Sequence, residues 1–153
     1  MKARFQRPSF IARMVSASAA AARQSATMFS THAPRMDVRS YQAIGKSHAH
    51  AHAQAVLPLV GSMDLSVGDR RGQVAGDTGV MIPAGVLHRF SAKKPNRFLV
   101  LDFESATAVG GFFALDAGLC HLLRYVDELK SRDRLAPDVE MHATALLSDA
   151  PSR

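Results

Sequence analysis

The chain is poor in cysteine and large aromatics: of its 153 residues one is cysteine, two are tyrosine and none is tryptophan. It also has no acidic residue before Asp37. The lone Cys120 excludes an internal disulfide framework and any cysteine-based zinc cluster, which suits a reducing, cytoplasmic setting. Long apolar runs are missing as well. Arg13 interrupts the apolar run near the N-terminus, against a secretory signal, and nothing approaches the roughly 18 residues of a membrane helix, so no membrane partner is expected. The missing acids explain the net charge of +6 and the pI near 10.1: six basic residues, Lys2 to Arg35, precede Asp37 and carry the whole excess. From Asp37 onward 13 basic residues face 13 acidic ones. The basicity is therefore no sign of a DNA-binding face.

The first 36 residues, rich in Arg, Ser and Ala, read as a disordered basic leader that cannot bury a core. A transit peptide has the same composition, and Met14, Met28 and Met36 allow a start further in. The whole chain's hydrophobic content of 47% suffices for one domain with a real core.

That core reads as β. Short apolar runs broken by turn residues give seven strands: VRSYQAI (Val38 to Ile44), AVLPLV (Ala55 to Val60), MDLSV, QVA, VMI, HRFSA and RFLVLDFE. Pro58 removes a ladder donor from the second, which predicts an edge strand or a bulge there. After the glycine-rich AVGGFFAL, Leu119, Leu122, Leu123, Val126 and Leu129 fall at helical spacing. Asp116 can cap that helix, with Lys130 and Arg132 at its end. Pro137 opens a second helical stretch. The expected organisation is a leader over 1–36, a β-barrel over 37–108 and a helical segment over 109–153.

Within the strands, HAHAHAQAVLPLVG sets an imidazole at every second position from His48 to His52, with Gln54 and Gly61 beyond, and Pro83-x-Gly85-x-x-His88 follows. Together these runs resemble the two motifs of the cupin superfamily, in which an HxH pair and a nearby Glu from the first motif and a His from the second line one cavity. The match covers Gly45 to Ala92; Gln54 stands where that Glu is usual, Asp77 where a Gly is, and Ala92 where an Asn is. The wording through RFLVLDFE and the Leu-rich helix is similar to the N-terminal sensor domain of AraC-family transcriptional regulators. The resemblance implies an all-β core, a cupin-type jelly-roll barrel (double-stranded β-helix) followed by one or two C-terminal α-helices. It also implies a site of His48, His50, Gln54 and His88 holding one divalent transition metal such as Zn, Fe, Ni or Mn.

Residue chemistry bears on that site. Histidines at i and i+2 of a strand face the same way roughly 6.6 Å apart, close enough to share an ion. On a straight strand Gln54 would lie roughly 13 Å from His50, so a bend near Ala51 to Ala53 is required. A neutral Gln binds more weakly than Glu, and Gln54→Glu is expected to strengthen a metal site. The alternative is that these histidines only line a cavity, and His52 is placed outside the ligand set. Arg89 and Arg97 are read as solvated strand charges rather than anion ligands, and Asp102 and Glu104 as pointing outward.

The expected function is a ligand-sensing or dimerisation cupin domain of an AraC-type regulator. It is expected to act in the cytoplasm as a homodimer with a small-molecule effector, without catalysis. Fewer than 20 residues follow Pro137, too few for a helix-turn-helix domain, so no sequence-specific DNA binding by this chain is expected. The alternative is a small metal-dependent enzyme of dioxygenase or isomerase type. No Ser or Cys nucleophile constellation and no phosphate-cradling glycine loop is present.

Overall fold

The structure, a computed structural model, describes residues 34–105 and 107–152. The leader, up to residue 33, lies outside the described residues. Arg35 and Met36, assigned to the leader from sequence, belong instead to the first strand, where Met36 is buried at 2% exposure.

Among the described residues eight strands precede two helices: β1 (Arg35–Arg39), β2 (Ala53–Val60), β3 (Met63–Val67), β4 (Arg70–Val74), β5 (Thr78–Ile82), β6 (His88–Ala92), β7 (Arg97–Phe103), β8 (Gly111–Ala114), α1 (Ala117–Ser131) and α2 (Pro137–Ser148), with a short 3-10 turn at Ala150–Ser152. All pairings are antiparallel and make two sheets, β1-β7-β2-β5-β8 and β4-β3-β6. The chain around Ile44 and His48 adds a further edge to the smaller sheet, bridging to Ser91 and His88 of β6. With that edge counted, the chain passes back and forth between the sheets, and only β3 and β4 are consecutive neighbours within one sheet. This is a jelly roll, the wrapped pair of Greek keys found in cupins.

Alternation explains the smaller sheet. Met63, Leu65 and Val67 turn inward and are buried, whereas Asp64 is exposed on the other face. The larger sheet is covered on both faces, so its central strands carry continuous apolar runs. Val56, Val80, Phe98 and Val100 pack between the sheets, and Ala55, Leu57, Leu99 and Leu101 pack against Leu119, Leu123 and Val126 of α1 and Leu147 of α2. The Asp116 carboxylate accepts from the Leu119 N–H and caps α1 as read from the sequence. Arg97 donates to Asp127, tying β7 to α1.

Two sequence readings shift and a third is resolved. The first strand ends at Arg39 rather than Ile44, because the buried Asn96 side chain takes both backbone groups of Tyr41: Tyr41 N donates to Oδ1 (2.8 Å) and Nδ2 donates to Tyr41 O (3.0 Å). The chain crosses there to the other sheet. GFFA, placed in the helical segment, is strand β8 on the edge of β5. Pro58 lies in a central strand, and of the two outcomes expected for it the bulge is the one found, between Pro58 and Val60 beyond the β5 pairing.

Candidate metal centre

The site lies where the two sheets meet. His48 and His88 form an antiparallel bridge with two backbone bonds, His48 N to His88 O (3.0 Å) and His88 N to His48 O (2.9 Å). Gly85 adopts φ +75°, a conformation that favours glycine, and its N–H donates to the His50 carbonyl (2.7 Å). The Pro83–Gly85 turn thus holds the HxH segment against the loop that leads into His88.

These constraints bring three imidazoles together. Ring centroids are 4.8 Å apart for His48 and His50, 4.3 Å for His48 and His88, and 5.0 Å for His50 and His88. One nitrogen from each lies within 4.8 Å of the others. Bonds of the length zinc makes to imidazole would place them roughly 3.3 Å apart in a tetrahedral site, a closure that small ring rotations can supply. Nδ1 of His48 lies 2.9 Å from the Lys46 carbonyl, and Nδ1 of His88 lies 3.1 Å from that of Val86. A carbonyl only accepts, so each Nδ1 carries the proton and each Nε2 keeps its lone pair for a cation.

Electrostatics favour the neutral form of His50 and His88. Burial lowers the pKa of His50, and the neighbouring His88, His48 and His52 lower it further against a smaller opposing effect of Asp102. Burial likewise lowers that of His88, with His48 in the same direction, against the bond to Val86. Neutral imidazole is the metal-binding form.

Gln54 joins the same chamber. The chain bends at Ala51 and His52 before β2 begins, as the spacing required, and Gln54, 3% exposed, lines a cavity of about 70 Å³ with His48, His50, His88, Arg39 and Tyr41. Its Nε2, however, donates to Asp102 Oδ1 at 2.7 Å. His52 stacks on His50 with centroids 5.1 Å apart and stands apart from the three-imidazole cluster. Its Nε2 is buried without a hydrogen bond; it lies 3.3 Å from Asp102 Oδ1 without hydrogen-bond geometry.

Asp102 corrects the sequence reading. It shares the parity of Phe98 and Val100, which pack between the sheets, and stands directly opposite Gln54 in the β2–β7 register. Burial pushes its carboxyl up, but the Gln54 bond, the Arg39 charge and bond, and His52 outweigh that and hold it below the usual carboxylate range. Arg39 donates to Asp102 Oδ2 at 2.9 Å. Arg39 and Asp102 reach the site through the β1–β7 and β2–β7 pairings and Tyr41 through the crossing after β1, and local sequence pattern shows none of these. Neither Arg89 nor Arg97 lines this chamber: Arg89 is exposed and Arg97 pairs with α1.

Comparison with known proteins gives a partial picture. No family model matches the chain. A 64-residue stretch, 42% of the chain, is 39% identical to an uncharacterized HTH-type transcriptional regulator, YobQ, of Bacillus subtilis strain 168. The match spans 27% of that relative's length. Among solved structures, a cupin-2 domain protein of Shewanella frigidimarina is 18% identical with a TM-score of 0.41, over 52% of this chain and 88% of that one. Oxalate decarboxylase of Bacillus subtilis, whose Mn(II) centres have been studied, is 17% identical with a TM-score of 0.37, over 61% of this chain and 27% of that one. Among the described residues no helix is long and apolar enough to cross a membrane. By its own strand order, and by the histidines that its two motifs bring together, the chain has the cupin jelly-roll fold.

Proposed function

We propose that the chain is a metal-responsive sensor module of a transcriptional regulator, with His48, His50 and His88 as ligands to one divalent transition ion and the Gln54 oxygen as a weaker fourth. The observation that carries this reading is the convergence of three imidazoles, two with Nδ1 held by a backbone carbonyl, around one small chamber. The partial likeness to a regulator supports the regulatory role. The chamber, about 70 Å³, is far below the 300–1,000 Å³ of ordinary small-molecule pockets. This chamber therefore suits the ion itself with a co-ligand of a few atoms. Such a module works in the cytoplasm and as a homodimer.

A metal ion here would bridge the two sheets and act as a Lewis acid toward a small bound ligand, which also favours a second reading, a small metal-dependent enzyme of dioxygenase or isomerase type. Turnover separates the two: catalytic dioxygen uptake or isomerisation by the metal-loaded, untagged protein would favour the enzyme.

The test is thermal unfolding of metal-stripped protein with Zn, Fe(II), Ni or Mn(II). An ion bound only by the native state stabilises it by about 2.7 kcal/mol at a hundredfold excess over Kd. His50→Ala should abolish most of that gain and His52→Ala little of it. No stabilisation by any of the four ions, together with no binding heat, would overturn the proposal.

A further inference from the structure

Gln54 and Asp102 are cross-strand partners, one on each central strand of the larger sheet, and each is only understandable through the other. A carboxylate can only accept, so the Gln54 end that faces Asp102 must be the amide nitrogen, and the carbonyl oxygen is left for the other side. On the opposite flank Asp102 accepts from Arg39, which also reaches Asp37 at 3.3 Å. Asp102 is 17% exposed, so its negative charge acts in a poorly solvated place.

We propose that Asp102 is the positioning residue of the histidine chamber: it fixes the Gln54 amide so that Oε1 faces His48, His50 and His88, and it supplies from one step behind the negative charge that residue 54 lacks. The metal part of this inference rests on the function proposed above; the orientation of Gln54 does not. The arrangement reverses the simple expectation for Gln54→Glu. A glutamate there would meet Asp102 at the present 2.7 Å contact, where two carboxylates repel or must share one proton. Asp102→Asn also fails alone. Its amide must offer oxygen to Arg39 and nitrogen to Gln54, which turns the Gln54 nitrogen toward the chamber. Combined, the two changes are complementary. The new amide at position 102 accepts from Arg39 through its oxygen and donates through its nitrogen to the new carboxylate at position 54, so the negative charge moves from position 102 to position 54.

A double-mutant cycle on the full chain tests this with two readouts. In metal-free protein each single variant should lower Tm by several degrees, and Gln54→Glu/Asp102→Asn should recover most of the loss. In calorimetric titration with zinc, Asp102→Asn should bind at least about tenfold more weakly than the natural chain and the double variant at least about tenfold more tightly. A double variant no more stable than the worse single, or stability losses that simply add, would overturn the positioning role. Coupling in metal-free stability with no zinc binding by any variant would support the Gln54–Asp102 pairing and overturn the metal reading.

Discussion

The two sheets of the jelly roll use the same alternation for different ends. The smaller sheet buries Met63, Leu65 and Val67 and leaves the facing row, Asp64 among it, to water. The larger sheet has water on neither side of its centre: Val56, Phe98 and Val100 fill the barrel, while Leu57, Leu99 and Leu101 lie under α1 and α2. A sheet face turned away from the barrel is thus a core wherever helices cover it and a solvated surface wherever they do not. The helices therefore belong to the stability of the barrel. The histidine chamber stands between these regimes, taking His88 from the smaller sheet, Gln54 from the larger, and His48 and His50 from the chain that joins them.

The largest expected break of this comparison is on the covered face. Leu101 has no exposed surface and packs in one cluster with the helix residues Leu123 and Leu147. Leu101→Ala removes apolar surface and leaves a cavity that a strand paired on both sides cannot collapse, so about 2–5 kcal/mol of stability should be lost. Urea unfolding followed by circular dichroism measures it; a loss below about 1 kcal/mol would show that the helices do not seal this face.

The next effect concerns the seam. His50 and His88 titrate below their ordinary value of 6.5 in the fold, so on acidification the unfolded chain takes up protons before the native one does. Their contribution in the metal-free protein is complete above pH 6.5 and is lost as pH falls through the lower folded values. Denaturant midpoints at pH 7.5 and pH 5.5 should differ in that direction. Combining His50→Ala with His88→Ala should flatten the dependence, and an unchanged slope in that variant would assign the pH response to other groups.

What the residues reveal in advance follows the same division. MDLSV, half in water, shows its alternation and is legible as a strand with one wet face. RFLVLDFE, buried on both faces, shows none, and so its pattern does not tell that Asp102 keeps step with Phe98 and Val100 and turns toward the histidines. The spacing of His48, His50 and His88 announces their meeting, and the spacing from His50 to Gln54 announces the bend at Ala51 and His52. The grip of Asn96 on Tyr41, which moves the first strand, and the contact between Gln54 and Asp102 join residues about 50 positions apart. Local pattern carries no trace of either. GFFA is short and begins within a glycine pair, so only its place beside β5 makes it a strand.

The smallest expected effect lies on the bare face and completes the contrast with Leu101. Asp64 accepts from Gln73 Nε2 at 3.0 Å across the β3–β4 pair, one residue before Leu65 turns into the barrel. Both partners of this bond are exposed, so water replaces it when either is removed, and no cavity forms on a face that none of the described residues covers. Asp64→Ala should therefore change stability by no more than about 0.5 kcal/mol, with no change in zinc affinity. The same denaturation series as for Leu101→Ala reads it. A loss above about 1.5 kcal/mol in dilute protein would mean that this face is covered in solution, and its dependence on protein concentration would then show whether a second copy of the chain does the covering.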